Sequence, residues 1–323
     1  MKIPYISVVA PALNEEAVLE EFCRRMSAVL SKCAAEYEII LVDDGSTDSS
    51  FSLIRELHEG NANIKGLSLS RNFGHASAIS AGLEYAQGQV VVIIDADLQD
   101  PPEVLPDFFE KWQEGYKVVY GVRRKRKEWF GKRFAYWLFY RVFKKIARLD
   151  NVAVDSGDFA VLDQAVVQHM CALPERNRFL RGLRSWIGYA QCGVEYERAA
   201  RFAGSSKYPL SKLVRLALDG MFAFSYAPLR LATYTGFFVA FAATVSMLVL
   251  LYMRIVHGVI GVAGFSSTLL VILFIGAIQL VSIGILGEYI GRIYDEVKRR
   301  PLYIIKENLG CILVRQSSMY ESL

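Results

Sequence analysis

Asp95 and Asp97 stand one residue apart, with Gln99 at the next alternate position and Asp100-Pro101-Pro102 closing the stretch. Both carboxylates can reach one hard divalent cation, and Gln99 can add a further oxygen ligand. The same residues also suit an acidic turn that caps the next helix. Other polar groups recur along the first half of the chain: Asn14-Glu15-Glu16, Asp43-Asp44-Gly45-Ser46-Thr47-Asp48, Ser70-Arg71-Asn72-Phe73-Gly74-His75 and Asp155-Ser156-Gly157-Asp158. The last of these is good turn chemistry ahead of a strand. Neither a G-x-G-x-x-G after the first strand nor a G-x-x-x-x-G-K-[ST] is present, and no serine elbow occurs. The groups on offer suit a metal and a nucleotide better than covalent catalysis.

The elements that must position these groups follow from hydrophobic patterning. Val90 to Ile94 is a run of β-branched apolar residues, the mark of a strand buried on both faces of a parallel sheet. Ile6–Ala10, Glu38–Val42 and Lys65–Leu69 read the same way, and Gly115–Gly121 adds a fifth strand and turn. Asn14 is the expected N-cap of a helix running to about Cys33, and another helix runs to Ala86. Alternating strands and helices at this spacing predict right-handed βαβ units in an α/β, doubly wound, mainly parallel sheet. Each polar cluster in that stretch then falls at a strand's C-terminal end, on the rim where such sheets bind ligands.

Composition divides the chain. It has 323 residues, and its mean hydropathy of +0.26 is positive although the first two thirds look like a water-soluble α/β protein. No charged residue occurs from Leu231 to Met253 or from Gly258 to Gly287. Each run exceeds the roughly 20 apolar residues that cross a bilayer, so two C-terminal membrane spans are expected, at 229–255 and 259–290. A catalytic domain at 1–208, an amphipathic juxtamembrane helix at 209–228 and a tail at 291–323 complete the expected organisation. Arg215 and Arg230 precede the hairpin and Arg292, Lys298, Arg299 and Arg300 follow it, which places both termini and the catalytic domain in the cytoplasm. The start of the chain does not read as a signal peptide. The five cysteines, Cys23, Cys33, Cys171, Cys192 and Cys311, show no paired or metal-binding spacing, as in a reducing compartment.

Cations cluster in three places. Arg123-Arg124-Lys125-Arg126-Lys127 leads into Trp129–Phe143, where basic and aromatic residues interleave. That pattern could bind single-stranded nucleic acid, but beside two membrane spans it reads as an interfacial helix at about 128–148. Arg178, Arg181 and Arg184 recur at three-residue steps, a basic stripe along one helical face. The Gly/Ser-rich segment 197–209 carries Arg198, Arg201 and Lys207, placed to meet a diphosphate or an acceptor phosphate if the loop closes.

Taken together, Pro11–Glu16, Val42–Asp48, Arg71–Gly74, Asp95–Pro102, Gly204–Tyr208 and Leu286–Tyr294 resemble the polyprenyl-phosphate glycosyltransferases of glycosyltransferase family two. That group includes bactoprenol glucosyltransferases, dolichol-phosphate mannose synthases and undecaprenyl-phosphate aminoarabinose transferases. The resemblance implies a GT-A nucleotide-sugar-binding fold, followed by interfacial helices and two transmembrane helices. It implies that Pro11, Leu13, Glu15 and Asp44 surround the nucleobase and ribose, with Asp95 and Ala96 also on the nucleotide. It implies that Asp95, Asp97 and Gln99 hold Mg²⁺ or Mn²⁺ against the diphosphate, and that Arg123 and Arg133 grip the lipid's phosphate. Asp97 and Asp158 are the implied catalytic residues, Asp158 as the candidate base. A phosphate monoester has its second pKa near ~6, however, so the attacking oxygen needs little deprotonation, and orienting the acceptor is an alternative role for Asp158.

The implied reaction is inverting transfer of one sugar to undecaprenyl or dolichyl phosphate at the cytoplasmic face of the inner (plasma) membrane. UDP-glucose is the first choice of donor; GDP-mannose or an aminoarabinose donor is the alternative. The absence of Gln-x-x-Arg-Trp around Gly182-Leu183-Arg184-Ser185-Trp186 favours single transfer. A flippase and a downstream transferase are the partners such a product implies, and Gly284, Gly287 and Gly291 allow close helix packing and a homo-oligomer. A nucleic-acid-binding membrane protein would leave the acidic rim without a use, and nucleic acid is not an expected partner. A non-catalytic scaffold should have lost Asp95 or Asp97, and both are present.

Overall fold

The computed structural model describes residues 2–123, 156–176, 178–198, 227–257 and 265–313. The elements of the first part are β1 (Ile3–Ala12), α1 (Leu19–Cys33), β2 (Ala34–Asp43), α2 (Ser50–Gly60), β3 (Ile64–Leu69), α3 (His75–Tyr85), β4 (Val90–Ile93) and a short 3₁₀ turn (Pro102–Val104). They are followed by α4 (Leu105–Gln113), β5 (Val118–Arg123), β6 (Ser156–Asp163), α5 (Gln164–Ala172), α6 (Leu180–Trp186) and β7 (Gln191–Tyr196). Two long helices, α7 (Ala227–His257) and α8 (Phe265–Lys298), precede a last strand, β8 (Ile305–Leu309).

One eight-stranded sheet runs in the order β7-β5-β6-β4-β1-β2-β3-β8. The pairs β1–β2, β1–β4, β2–β3 and β5–β7 are parallel, whereas β6 is antiparallel to both β4 and β5, and β8 to β3. The sheet is therefore mixed and mainly parallel. Its directions have one consequence for the site. The C-terminal ends of β1 to β5 and of β7 share an edge with the N-terminal end of β6.

Both faces of the sheet are covered, which is why its central strands are continuous apolar runs rather than alternating ones. Val8, Ile39, Leu41, Val90 and Val92 pack with α1, α2 and α4 on one face. Val9, Ile40, Val42, Val91 and Ile93 pack with α3, α5 and α6 on the other. Neighbouring residues of a strand thus serve opposite cores.

The structure departs from the sequence-based expectations at several places. Asn14 does not cap α1, which starts five residues later. It takes a left-handed conformation (φ 57°) and its side chain accepts a hydrogen bond from the Thr47 N–H (2.9 Å), so it braces the neighbouring loop instead. Asn tolerates that backbone region better than most residues. Asp158 belongs to β6 rather than to a turn, and Arg123 is the last residue of β5. The segment 291–323 is not simply a tail after a span. Helix α8 continues to Lys298, and β8 then closes the β3 edge of the sheet.

Residues Met1–Leu213 with Arg300–Leu323 form one compact unit, and Val214–Arg299 a second. In the second unit, the windows Ala232–Val249 and Phe274–Lys298 each have a mean hydropathy of 1.6 and none of their residues is buried. Both helices are long and apolar enough to cross a membrane. Gly284, Gly287 and Gly291 have open space around them. The interfacial segment 128–148 and most of the juxtamembrane segment 209–228 lie outside the described residues.

Candidate active site

The loops after β1 and β2 are fused by hydrogen bonds. Asn14 N–H donates to Ser46 Oγ (2.9 Å), Glu15 N–H to Ser50 Oγ (2.9 Å) and Ser49 N–H to Glu16 Oε2 (2.9 Å). Pro11 is buried at the end of β1, while Leu13 is 43% exposed on this wall. Asp44 is tied into the neighbouring loop. Its carboxylate is buried and accepts from the backbone N–H groups of Phe73 (2.7 Å) and Gly74 (2.9 Å), so in this structure it pins the loop after β3. Burial pushes the Asp44 carboxyl up, and the two backbone donors work against that rise. Gly45 (φ 74°) is required next to it, because a Cβ there would sit 2.5 Å from the Arg71 carbonyl carbon.

The stretch after β4 alternates. Asp95, Asp97 and Gln99 are partly exposed, whereas Ala96, Leu98 and Asp100 are buried. Leu98 sits in the left-handed region (φ 58°), and Asp97 Oδ1 accepts from the Gln99 N–H (3.1 Å), which tightens the turn. The three candidate ligands therefore share one side of the segment. Ala96 is only 1% exposed and its methyl belongs to the core.

Burial pushes the Asp95 carboxyl up to about 6, opposed by His75 and reinforced by the negative charges of Asp158, Asp97 and Asp100. A divalent cation would relieve that crowding, and the hard oxygen donors suit Mg²⁺ or Mn²⁺. The residues present fit such an ion, although among the described residues no group of three or more His, Cys, Asp or Glu side chains converges on one point.

Asp158 reaches the rim because β6 runs antiparallel and starts there. Arg181 from α6 grips it, with Nε 2.9 Å from Oδ1 and Nη2 3.1 Å from Oδ2. His75, the first residue of α3, lies between the acids, its Nε2 3.5 Å from Asp158 and 3.6 Å from Asp95. Burial acts to raise the Asp158 pKa, but Arg181 and His75 outweigh it and hold the carboxyl well below the usual carboxylate range. The three arginines expected to form a basic stripe along one helical face do not do so, because the helix starts only at Leu180. Arg178 precedes α6 and donates to the Leu173 carbonyl (2.5 Å), Arg181 holds Asp158, and Arg184 is buried with its guanidinium 5.2 Å from the Tyr120 ring centre. Burial pushes Arg184 down to about 10.

Arg123 and Arg198 converge on Asp100, at 3.9 Å and 3.2 Å, and Tyr196 donates its hydroxyl to the same carboxylate at 2.5 Å. Arg133, Arg201 and Lys207 lie outside the described residues. Sequence reasoning missed His75, Asp100, Arg181 and Tyr196 as site residues. His75 and Asp100 adjoin motifs already noticed, but Arg181 and Tyr196 become neighbours of the rim only through the turn in direction at β6 and the placement of β7 beside β5.

The family model "Glycosyl transferase family 2" matches residues 7–171, and the model "GtrB C-terminal hairpin" matches residues 227–293. The SfII prophage-derived bactoprenol glucosyl transferase of Shigella flexneri is 43% identical over 307 residues, covering 94% of this chain and 98% of the relative. YkcC of Bacillus subtilis, an uncharacterized glycosyltransferase, is 44% identical over 305 residues, covering 94% of each chain. Among solved structures, glucosyl-3-phosphoglycerate synthase from Mycobacterium tuberculosis, in complex with Mn²⁺, UDP and phosphoglyceric acid, superposes with a TM-score of 0.52 at 22% identity, covering 68% of this chain and 76% of that one. That likeness concerns the fold, and it supports the GT-A architecture. An acid-lined rim on such a sheet, the family match and near full-length similarity agree: this chain is a transferase belonging to glycosyl transferase family 2, with the C-terminal hairpin of its GtrB-type members.

Proposed function

We propose that the protein transfers one glucose from UDP-glucose to a polyprenyl phosphate at the membrane surface, with inversion at the anomeric carbon. The observation that carries this reading is the rim itself, where the partly exposed carboxylates Asp95 and Asp97 and the guanidinium groups of Arg123 and Arg198, paired with Asp100, meet at one stretch of chain after β4. The name of the Shigella relative supports the lipid acceptor and the sugar.

An oxygen of the acceptor phosphate attacks the anomeric carbon as the bond to the diphosphate breaks on the opposite side, and that electron pair leaves with UDP. Asp95 and Asp97, with Gln99 beside them, would hold a divalent ion, which when bound would supply positive charge to the departing diphosphate. The wall of Pro11, Leu13 and Glu15 receives the nucleoside, while Asp44 keeps the loop after β3 in place for it. Arg123 and Arg198, with Arg133, Arg201 and Lys207 from the segments that follow, offset the repulsion between two anionic reactants. Asp158 works as an ionised anchor for Arg181 and His75 rather than as a base. Both of its oxygens are engaged by Arg181, and the acceptor arrives largely deprotonated.

The chain leaves the first unit before the hairpin and rejoins it at β8, so both ends of the hairpin belong on one side of the bilayer. The cations Arg292, Lys298, Arg299 and Arg300 support a cytoplasmic position for that side. The glycolipid formed there calls for a flippase and for a transferase that consumes it, and the open glycine face of α8 offers a surface for self-association. The test is transfer of labelled glucose from UDP-glucose to polyprenyl phosphate with Mg²⁺ or Mn²⁺, with Asp97→Ala as control. Organic-extractable label that depends on Asp97 is expected; its absence with every nucleotide sugar refutes the reading.

A further inference from the structure

The geometry points to Asp100 and Tyr196 as positioning residues that hold the guanidinium groups of Arg123 and Arg198 in one seat for a phosphoryl group. Asp100 is 2% exposed and comes from the turn after β4; Tyr196 is 3% exposed and ends β7. A buried carboxylate must be paired: this one accepts the Tyr196 hydroxyl on Oδ1, Arg198 Nε lies 3.2 Å from the same oxygen as an ion pair without hydrogen-bond geometry, and Arg123 Nη2 lies 3.9 Å from Oδ2. Arg123 Nε also donates to the Tyr196 hydroxyl at 3.4 Å. Two cations facing one anion leave one positive charge over. The two arginine side chains keep 23% and 30% exposure, so that charge is open to a ligand.

The seat is built into the sheet. Arg123 and Tyr196 are register partners on the parallel strands β5 and β7, which sets them side by side. The Tyr196 ring packs edge-on against Phe159, with centroids 5.4 Å apart, and Phe159 packs in turn on Phe108 at 4.8 Å. Glycines stand where the two side chains cross the sheet. A Cβ on Gly121 would lie 2.5 Å from the Tyr196 ring, and one on Gly157 would lie 3.1 Å from Arg123 Nη2. The hydroxyl is therefore aimed by packing, Arg123 by its hydrogen bond to that hydroxyl, and Arg198 by the charge of Asp100. Fixing two long side chains beforehand spares a ligand most of their ordering entropy.

Asp97 and Asp100 belong to one tight turn, held by the left-handed Leu98 and the Gln99 N–H bond to Asp97. The same turn thus spaces the cation-binding acids from the anion-binding arginines. The inference rests on the transfer reading for the identity of its ligand, a phosphoryl group of either the acceptor's monoester or the donor's diphosphate.

The full chain in detergent distinguishes these sources. Mn²⁺-UDP and farnesyl phosphate are titrated separately into wild type and Tyr196→Phe, with transfer kinetics and melting temperature measured in parallel. Tyr196→Phe keeps the ring stack and removes only the hydroxyl. The expected result is a drop of about three- to tenfold in affinity and a matching rise in KM for one phosphoryl ligand, with kcat changing less. A drop confined to farnesyl phosphate assigns the seat to the acceptor, and one confined to UDP assigns it to the donor; either supports the inference. Both affinities within about twofold of wild type would overturn it and leave Tyr196 a packing residue. Asp100→Asn, which keeps an acceptor for the hydroxyl but leaves both guanidinium charges without their anion, must change affinity for the same ligand; no change there, or a change confined to the other ligand, overturns the inference. Wild type that binds both ligands but forms no glycolipid sinks the transfer reading alone. Wild type that binds neither sinks the seat.

Discussion

Arg181 closes on Asp158 as a fork, its Nε and Nη2 each meeting one carboxylate oxygen at 2.9 Å and 3.1 Å. An ion pair of this form, only partly exposed on both sides, holds its carboxylate ionised and fully occupied. Its place at the start of β6 makes it a structural member of the rim, next to His75 and the acids after β4.

The first prediction follows from that grip. The Asp158 pKa lies below the ordinary value, so the group stays ionised across the neutral range and has no proton to gain or lose there. Asp158→Asn should slow transfer about 10- to 100-fold by loosening Arg181, yet kcat/KM between about pH 5.5 and 8.5 should lose no limb, only shifting as the neighbouring His75 and Asp95 feel the lost charge. Loss of a limb in that profile would restore the base role. Arg181→Ala should reproduce the slowing, with a melting temperature reduced in line with about 1–3 kcal/mol for an unpaired, partly buried carboxylate.

Asp97→Ala should lower turnover by about two to three orders of magnitude, the scale of losing charge stabilisation at a leaving group. Chelation of divalent ions should abolish transfer, and UDP affinity by calorimetry should become independent of added Mn²⁺ in the variant. Metal-dependent UDP binding of wild-type strength in Asp97→Ala would remove this residue from the cation site.

Asp163 supplies a pH test of stability away from the rim. Its side chain accepts from Ala165 N–H (3.1 Å) as the cap of α5, from Trp112 Nε1 (2.9 Å) and from Lys117 Nζ (2.8 Å). Burial works to raise this carboxyl, but Lys117, Trp112 and the backbone donor bring the net shift below the ordinary value. A depressed pKa means stability that is present above the unfolded value of about 3.9 and lost as pH falls through the folded one. Asp163→Ala should cost about 1–2 kcal/mol at pH 7, and the gap to wild type should narrow below about pH 4 in chemical denaturation. A gap constant with pH would show that the charge of Asp163 contributes nothing.

The strap after α8 should matter for the first unit. Tyr303 donates its hydroxyl to Glu84 on α3 (2.6 Å), Ser70 N–H donates to the Ile304 carbonyl (2.8 Å), and Arg55 pairs with Glu307 (2.7 Å). Tyr303→Phe should destabilise by about 1 kcal/mol through loss of this partly buried hydrogen bond. Ending the chain at Arg300 should expose the β3 edge and produce a larger fall in melting temperature together with aggregation. A truncated chain that melts like the full one would show that β8 is dispensable.

Much of this protein was legible in its residues one after another. The apolar runs Ile39–Val42 and Val90–Ile93 announce strands with two buried faces, because burial on both sides removes the alternation that a half-exposed strand would show. The charge-free runs of α7 and α8 announce bilayer length, since solvation by lipid selects on composition alone. Asp95 and Asp97 could be read as ligands because their spacing is local. Asp100 meeting Tyr196, Asp158 meeting Arg181, and β8 joining β3 were decided only in three dimensions. Each joins residues far apart in sequence, 96, 23 and more than 200 positions respectively, through a strand direction or a sheet order that no local pattern encodes. Local spacing determined which chemistry the chain carries; the reversal at β6 and the pairing of β5 with β7 decided which of its charges work together.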